Sequence, residues 1–428
     1  MNAPATPAPA DLASRMAAIG RAALEAAASL RDATPEARTA ALRAIAVAVR
    51  DAAPRVLEAN ARDLDAARAS GMAAPMADRL LLDAGRIEAI AAGVEAVAAQ
   101  PDPVGAEIAR WTRPNGLDIA RVRTPIGVIG VIYESRPNVG VDAAAIAVRS
   151  GNAVILRGGS EAIGSALALQ AAVEEALAAS GLPRAAVQMV DTPDRAAVGL
   201  MLGGLDGAID LIIPRGGKSL VKRVREEARV AVLGHLEGLN HTYVHAAADP
   251  TMARAVVLDA KMRRTSVCGA TETLLIDRAV APTLLPAIAA DLEAKGCVLR
   301  ADTAARALVP SAASATEADW RTEHLAPILN VRVVDGLDAA VAHIATYGSG
   351  HTDAIVTDDP AAAEAFADKV DSAIVLVNAS TQFADGGEFG FGAEIGIATD
   401  KLHARGPVGP EQLTTFKYVV RGTGQLRG

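Results

Sequence analysis

Residues 125–138 read Pro-Ile-Gly-Val-Ile-Gly-Val-Ile-Tyr-Glu-Ser-Arg-Pro-Asn, an apolar run that ends in a polar turn. The run predicts a buried strand over 127–132. Similar short apolar runs follow at 153–156, 187–190 and 211–213, and helical patterns separate them. Such alternation is typical of βαβ units in a parallel, doubly wound sheet. Because open α/β sheets bind ligands at the carboxyl ends of their strands, we expect the polar turn to face a ligand.

The strand and helix alternation continues beyond residue 232 and predicts a second α/β domain. Residues 108–124 read as a β-hairpin with an Asn-Gly turn, and the strand-like tail can pair with it. An exposed hairpin of this kind often pairs with another subunit, which predicts a small β oligomerisation element and a homo-oligomer. The predicted boundaries are 11–107 with 125–234 for the first domain, 235–405 for the second, and 108–124 with 408–428 for the β element.

Composition limits the classes of function. The chain has 428 residues and a net charge of −8, so it lacks the basic excess that nucleic acids or anionic membranes require. It has two cysteines, which cannot form a disulfide scaffold and favour the reducing cytoplasm. Residues 1–10 do not resemble a signal peptide, and no apolar run approaches the length of a membrane span. We therefore expect a soluble cytoplasmic enzyme.

Cys268 is the candidate nucleophile. It follows the basic pair Arg263 and Arg264 and leads into an apolar, strand-like run. Positive charge near a thiol favours the thiolate, which is the nucleophilic form. On spacing alone, a small buried core residue is an equal alternative. The second cysteine, Cys297, lies at the start of a predicted strand after a helix and is interpreted as a packing residue.

Two further turns carry the features of phosphate or ribose sites. In the first, a strand ends in Arg157 and is followed by Gly158, Gly159 and Ser160, which is predicted to cap a long helix. A cation, permissive glycines and helix amides together suit a phosphate, although an ordinary strand-turn-helix is the alternative. The second turn has the same arrangement, with Gly216, Gly217 and Lys218.

Other motifs are absent or incomplete. The chain has no Gly-x-Gly-x-x-Gly sequence, and a P-loop would need a glycine where Ile212 stands. His241 and His245 lie four residues apart in a strand-like stretch, so they lack the helical spacing of a metal site. No metal is predicted. A glycine-dense loop at 388–396 can bring backbone close to a ligand.

Taken in order, these segments resemble the aldehyde dehydrogenase superfamily. The resemblance covers residues from about 11 to 421 and includes Cys268 and the Glu-x-x-x-Pro motif at Glu323–Pro327. It implies an aldehyde dehydrogenase-like fold, with a cofactor-binding first domain and a catalytic second domain. Finer motifs resemble the branch that reduces L-glutamyl 5-phosphate, and they lie at 131–139, 157–161, 213–219, 235–238 and 404–415.

The resemblance implies a reaction and roles for several residues. Cys268 would attack the acyl phosphate, and NADPH would reduce the resulting thioester to L-glutamate 5-semialdehyde, the second step of proline biosynthesis. Asn138 and the Cys268 backbone N–H would stabilise the oxyanion, although an ungapped match falls on Arg136. Glu323 would hold the nicotinamide ribose. Because Ser160 replaces the acid of NAD-preferring relatives, NADP(H) is favoured.

The substrate has a phosphate end and an amino-carboxylate end, and arginines suit both anions. The kinase that makes the acyl phosphate, glutamate 5-kinase, is a possible partner by family. Alternatives are a reductase of a CoA thioester, an inactive binding protein on the same scaffold, and a P-loop nucleotidase. The candidate substrate-binding residues are Arg136, Arg263, Arg264 and Arg405.

Overall fold

A computed structural model, which describes residues 10–427, divides the chain into two compact units. The first unit comprises the described part of Met1–Gly234 together with Gly390–Gly396 and the described part of Val408–Gly428. The second comprises His235–Phe389 and Ile397–Pro407.

The first unit begins with five helices, followed by a hairpin and alternating strands and helices. Its elements are α1 (Ala10–Asp32), α2 (Pro35–Asp51), α3 (Ala53–Ala69), α4 (Ala74–Leu80), α5 (Ala84–Ala99), β1 (Glu107–Thr112), β2 (Asp118–Pro125), β3 (Val128–Tyr133), α6 (Asn138–Arg149), β4 (Ala153–Arg157), α7 (Ile163–Ala179), β5 (Val187–Met189), α8 (Arg195–Leu202), β6 (Leu211–Arg215), α9 (Lys218–Glu227) and β7 (Ala231–Val232).

The second unit is built on the same alternation. Its elements are β8 (Asn240–Val244), α10 (Pro250–Met262), β9 (Thr271–Asp277), α11 (Ala281–Ala294), β10 (Val298–Ala301), α12 (Thr303–Leu308), β11 (Ala313–Ser314), β12 (Ile328–Val334), α13 (Gly336–Tyr347), β13 (Thr352–Val356), α14 (Pro360–Lys369), β14 (Ile374–Val377), β15 (Ile397–Ala398) and β16 (Gly406–Pro407). The last strand, β17 (Thr414–Arg421), returns to the first unit.

Each unit has a parallel sheet, as the sequence predicts. The five strands of the first unit run in the order β5-β4-β3-β6-β7. The seven strands of the second run β11-β10-β12-β9-β8-β13-β14. In the first sheet the chain adds β4 and β5 on one side of β3 and then β6 and β7 on the other side. The carboxyl ends of the strands at this switch point form the expected ligand crevice.

A small antiparallel sheet completes the first unit, in the order β1-β2-β17. The Asn-Gly turn of the hairpin is present, with Gly116 at a φ of +85° that favours glycine. The tail strand pairs with β2, from Thr414 opposite Pro125 to Arg421 opposite Asp118. Phe416 and Tyr418 are two residues apart on β17 and therefore lie on the same face, where both are exposed. Tyr418 packs edge-on against Trp111 on this face.

Local signals explain how two helices begin. The Thr34 side chain accepts a hydrogen bond from Ala37 N at 3.1 Å, and Pro35 occupies the first turn of α2. The prediction that Ser160 caps the following long helix is wrong. Residues 160–162 form a 3₁₀ turn, and Asp63 of α3 caps α7 instead by accepting from Ser165 N at 2.7 Å.

The segment that contains α7 differs from the expectation that no apolar run approaches the length of a membrane span. Residues Ser160–Ala179 form a 20-residue segment that meets the length and composition of a membrane span. However, α7 packs against α2, α3, α6 and β5 within the first unit, as a core helix does. Length and composition are therefore weak evidence for a span here.

Candidate active site

A cleft of about 300 Å³ lies at the carboxyl ends of β3 and β4 in the first unit. Three arginines on three different segments line it: Arg157 at the end of β4, Arg195 at the start of α8 and Arg223 on α9. The predicted turn residues Gly159 and Ser160 contribute to the same wall. The concentration of guanidinium groups makes this cleft suitable for a phosphorylated ligand.

The Arg157 side chain binds backbone carbonyls of the protein, whereas the sequence predicts that it binds a ligand. Its side chain is 9% exposed, and it donates to the Gly158 carbonyl at 2.6 Å and to the Pro193 carbonyl at 3.0 Å. Burial lowers the pKa of the Arg157 guanidinium, while the Glu161 carboxylate opposes that shift. Arg195 and Arg223 lower it further because their like charges are close. Arg157 therefore holds the loop backbone, and the other two arginines complete the cationic wall.

Two glutamates organise the turns around this cleft. Glu161 accepts hydrogen bonds from the backbone N and the hydroxyl of Ser135, both at 2.7 Å, and Ser135 is held at a φ of +48°. Glu134 accepts from the backbone N of Gly217 at 2.8 Å. The amide that the sequence assigns to a phosphate is thus engaged by a carboxylate. Lys218, the next residue, is the first residue of α9.

Asn138, the candidate oxyanion donor, is the first residue of α6. Its side-chain amide donates to Asp142 Oδ2 at 2.9 Å, which fixes the orientation of the carboxamide. Burial raises the pKa of Asp142 to about 6, although the Asn138 bond and the Arg215 charge oppose the shift. The same turn contains Arg136, the alternative match, which is half-buried.

In the second unit, Cys268 lies in the turn between α10 and β9. Its side chain is partly buried and packs against an apolar cluster of Ile374, Ala384 and Ile397. The Cys268 carbonyl accepts from Asn240 Nδ2 at 2.6 Å. These contacts fix both the backbone and the side chain of the candidate nucleophile.

Gly238 is required beside Cys268. A Cβ on Gly238 would lie 2.1 Å from the Cys268 carbonyl oxygen, a distance that no side chain tolerates. The backbone N of Gly238 donates to Glu323 Oε1 at 2.9 Å. This bond ties the predicted ribose-binding residue to the segment that packs on Cys268.

A buried ion pair supports the loop that carries Glu323. Lys261 Nζ lies 2.8 Å from Glu272 Oε2, and both side chains are almost fully excluded from solvent. Glu272 Oε1 also accepts from the backbone N of Leu325, which has a φ of +50°. Burial raises the pKa of Glu272 to about 7, and the Lys261 charge opposes the shift.

The candidate substrate arginines of the second unit have different environments. Arg405 is engaged by Asp371, with its Nη1 at 2.7 Å from the carboxylate. Arg263 and Arg264 are exposed, and Arg263 lines a cleft of about 480 Å³. The cleft also contains two carboxylates, Asp259 and Glu388, and Gln382, whose amide donates to the Arg264 carbonyl at 3.2 Å.

Two histidines near Cys268 were not singled out as candidates from the sequence. His235 begins the motif His-Leu-Glu-Gly that ends at Gly238, and His351 immediately precedes β13. One ligand atom from each imidazole and the Cys268 Sγ all lie within 4.8 Å of one another. Residues 235, 268 and 351 are far apart in the chain, and only the sheet order brings them together. One signal in the sequence could have pointed to this group: His235 lies in 235–238, one of the finer motifs named above.

Comparisons with known proteins identify the family of the chain. A sequence model described as aldehyde dehydrogenase family matches residues 5–309. The γ-glutamyl phosphate reductase of Caulobacter vibrioides is 71% identical over 412 residues, which cover 96% of this chain and 100% of that protein. The crystal structure of γ-glutamyl phosphate reductase from Thermotoga maritima gives a TM-score of 0.94 at 42% identity, covering 96% of this chain and 100% of its own. An acetylating aldehyde dehydrogenase from Geobacillus thermoglucosidasius covers 98% of each chain with a TM-score of 0.71 at 18% identity, a likeness of fold alone.

Proposed function

Because the chain belongs to the aldehyde dehydrogenase family, we propose that it reduces L-glutamyl 5-phosphate to L-glutamate 5-semialdehyde and phosphate. The observation that carries this proposal is the high identity to γ-glutamyl phosphate reductases over almost the whole chain. The reaction is the second step of proline biosynthesis from glutamate. We place the protein in the cytoplasm, where that substrate would be made.

Cys268 is the proposed nucleophile. Its thiolate attacks the acyl carbonyl and forms a thioester as the C–O bond to phosphate breaks. Negative charge develops on the carbonyl oxygen during this attack, and N–H donors aimed at that oxygen lower the barrier. The backbone N–H of Cys268 and the carboxamide of Asn138, which Asp142 orients, are the proposed donors.

The cleft of the first unit fits the phosphorylated end of a nicotinamide cofactor. Its three arginines and its turn with Gly158, Gly159 and Ser160 suit a 2′-phosphate, so we propose NADP(H). Gly216, Gly217 and Lys218 are proposed to lie along the cofactor, and Glu323 is proposed to hold its ribose. When bound, the cofactor supplies the hydride that reduces the thioester.

Arg195 and Arg223 are expected to determine the preference for the 2′-phosphate. Arg195→Ala or Arg223→Ala should raise the KM for NADPH by about 10-fold or more, because one charge-assisted bond contributes ~1.5–3 kcal/mol. The KM for NADH should change little. Arg157→Ala should raise both constants, since Arg157 holds the loop through the Gly158 and Pro193 carbonyls. Initial-rate kinetics with both cofactors will measure these effects.

The matched control for these variants is Lys222→Ala, which removes a cation from the same helix, α9. Lys222 is exposed and forms an ion pair with Glu226 outside the cleft. Its KM values should stay near those of the wild type. Equal increases for NADPH and NADH in the Arg195 and Arg223 variants would refute a 2′-phosphate contact.

The cleft lined by Arg263 is the proposed site for the amino-carboxylate end of the substrate. Its guanidinium would pair with the α-carboxylate, and Asp259 and Glu388 would face the α-ammonium group. Ala384, which follows the cleft residue Phe383, belongs to the apolar cluster against which Cys268 packs. The cleft is therefore adjacent to the nucleophile within the second unit. Arg136, Arg264 and Arg405 remain candidates for the phosphate.

The proposed assembly is a homo-oligomer joined through the small antiparallel sheet. Among residues 10–427, neither β1 nor β17 pairs with a further strand on its outer side. Phe416, Tyr418 and Val420 expose an apolar face on β17. A kinase partner, glutamate 5-kinase, is proposed from the short lifetime of an acyl phosphate in water.

The test of the proposed reaction is its reverse. Purified protein should oxidise L-glutamate 5-semialdehyde with NADP⁺ in a manner that requires phosphate, observed as the absorbance of the reduced cofactor. Dependence on coenzyme A in place of phosphate would favour the alternative reductase of a CoA thioester. Absence of oxidation with either acceptor would contradict the proposal.

A further inference from the structure

The amino ends of three adjacent strands bring a thiol and two imidazoles together in the second unit. The sheet order there is β9-β8-β13, and the segments that enter these strands contain Cys268, His235 and His351 respectively. The three ligand atoms lie within 4.8 Å of one another. The two imidazole rings contact edge-to-face, with centroids 4.9 Å apart.

We propose that His235 accepts the proton of the Cys268 thiol, and that His351 positions His235 for this transfer. The inference rests on the proposed function and adds two residues to it. Imidazole is the usual proton acceptor for a catalytic thiol near neutral pH. Catalytic hydrogen bonds are often long without substrate and shorten when it binds, which accommodates the observed separation.

The hydrogen bond at Nδ1 identifies the tautomer of the neutral His235 ring. His235 Nδ1 lies 2.7 Å from the carbonyl oxygen of Ile397. Because a carbonyl oxygen can only accept, Nδ1 carries the hydrogen, and Nε2 of the neutral ring has a lone pair. Ile397 also belongs to the apolar cluster against which Cys268 packs, so one cluster positions both partners.

His351 is built into the interior beside this pair. It is fully buried, and its Nδ1 lies 2.8 Å from the hydroxyl of Thr352. Its Nε2 is buried without a hydrogen-bond partner among residues 10–427. A buried nitrogen without a hydrogen-bond partner costs free energy, and a functional role is one explanation for such a group in a native structure. Contact with the ring of His235 holds that ring at a fixed angle to the thiol.

The proton balance of the acyl transfer explains why an imidazole is useful. Before the attack, the proton of the Cys268 thiol moves to His235 Nε2, and the resulting thiolate forms the C–S bond. The C–O bond to phosphate then breaks, and His235 returns this proton to the leaving group, which departs as HPO₄²⁻. The thioester and a neutral imidazole remain, so atoms and charge balance without another reactant.

Several charged side chains lie on the elements around the pair. Glu237 lies two residues from His235, and Glu323 accepts a hydrogen bond from the nearby Gly238 N. Arg405 approaches Gly350, next to His351, and forms an ion pair with Asp371. On β13, Asp353 Oδ1 lies 2.8 Å from His241 Nδ1. A pH profile must therefore be compared between variants that leave all these groups in place.

The test is the rate of alkylation of Cys268 by iodoacetamide, followed by peptide mass spectrometry across pH 5–10 in a Cys297→Ala background with a chelator present. His235→Asn keeps a donor for the Ile397 carbonyl but removes the basic nitrogen. Alkylation at pH 7 should slow by about 10- to 30-fold, because a free thiol with a pKa near ~8.5 is only a few per cent thiolate. His351→Asn should slow it by a smaller factor, and the midpoint should move to higher pH in both.

His245→Asn is the matched control, since His245 lies at the far end of β8 and contacts the Thr357 hydroxyl. Its profile should match that of the parent. Equal profiles for all variants would overturn the inference, and so would a parent midpoint equal to that of a free cysteine, a result that does not depend on any variant folding. Phosphate-dependent oxidation of the semialdehyde by the parent protein, measured in parallel, reports on the proposed function separately.

Discussion

Cys268→Ala is expected to lower turnover by roughly 10³-fold or more while the cofactor still binds, because the covalent step has no other nucleophile. Cofactor affinity should change little, since the proposed cofactor residues other than Glu323 lie in the first unit. Steady-state rates and a fluorescence titration with NADPH will measure the two quantities separately. A loss of both together would indicate a folding defect instead of a missing nucleophile.

Cys297→Ala is the control for that result and should leave turnover near normal. The Cys297 side chain is 4% exposed within the core of the second unit. Burial raises the pKa of the Cys297 thiol to about 11, so it remains protonated and unreactive near neutral pH. If Cys297→Ala abolished turnover and Cys268→Ala did not, the nucleophile would have been assigned incorrectly.

Lys261→Met is expected to destabilise the protein by about 3–5 kcal/mol, because it leaves the Glu272 carboxylate buried without its counter-charge. The Lys261 side chain is completely excluded from solvent and lies 2.8 Å from Glu272. The Leu325 backbone, which Glu272 also binds, should lose its position together with the Glu323 loop. Urea denaturation monitored by circular dichroism at pH 8 will measure the free energy of unfolding.

The effect of Lys261→Met should depend on pH in a defined direction. Burial raises the pKa of Glu272 from 4.5 to about 7, so folding favours the protonated form. That contribution is complete below about pH 4.5 and is lost as pH rises through 7. Without Lys261 the pKa of Glu272 should rise further, so the loss of stability should continue to higher pH. The double variant Lys261→Met with Glu272→Leu should recover much of the stability. A single variant as stable as the wild type at pH 8 would show that the pair is not needed.

Most of the fold could be predicted because local patterns and global topology agree. The strand run before residue 133 and the Asn-Gly hairpin are each determined by nearby residues, and the structure confirms them. The motif order likewise identified the aldehyde dehydrogenase family, which the comparisons confirm. The helix start near Ser160 was wrong because the capping group, Asp63, comes from another helix about a hundred residues earlier.

The candidate site could be predicted only in part, for the same physical reason. Sequence patterns identify a cysteine or an arginine at the end of a strand, but they do not show which distant side chains are neighbours. Arg195 and Arg223 join Arg157 only because α8 and α9 follow neighbouring strands of one sheet. His235 and His351 join Cys268 through the order β9-β8-β13. The role of Arg157 in holding carbonyls depends on the Pro193 loop, which no local pattern indicates.

The most direct measurement for the central claim is the mass of the peptide that contains Cys268 during turnover. Protein incubated with L-glutamate 5-semialdehyde and NADP⁺, with phosphate withheld, should accumulate the thioester, because its acceptor is missing. Acid quenching and peptide mass spectrometry should then find a glutamyl adduct on Cys268, which disappears when phosphate is added. An adduct on Cys297, or none while reduced cofactor still forms, would contradict the account.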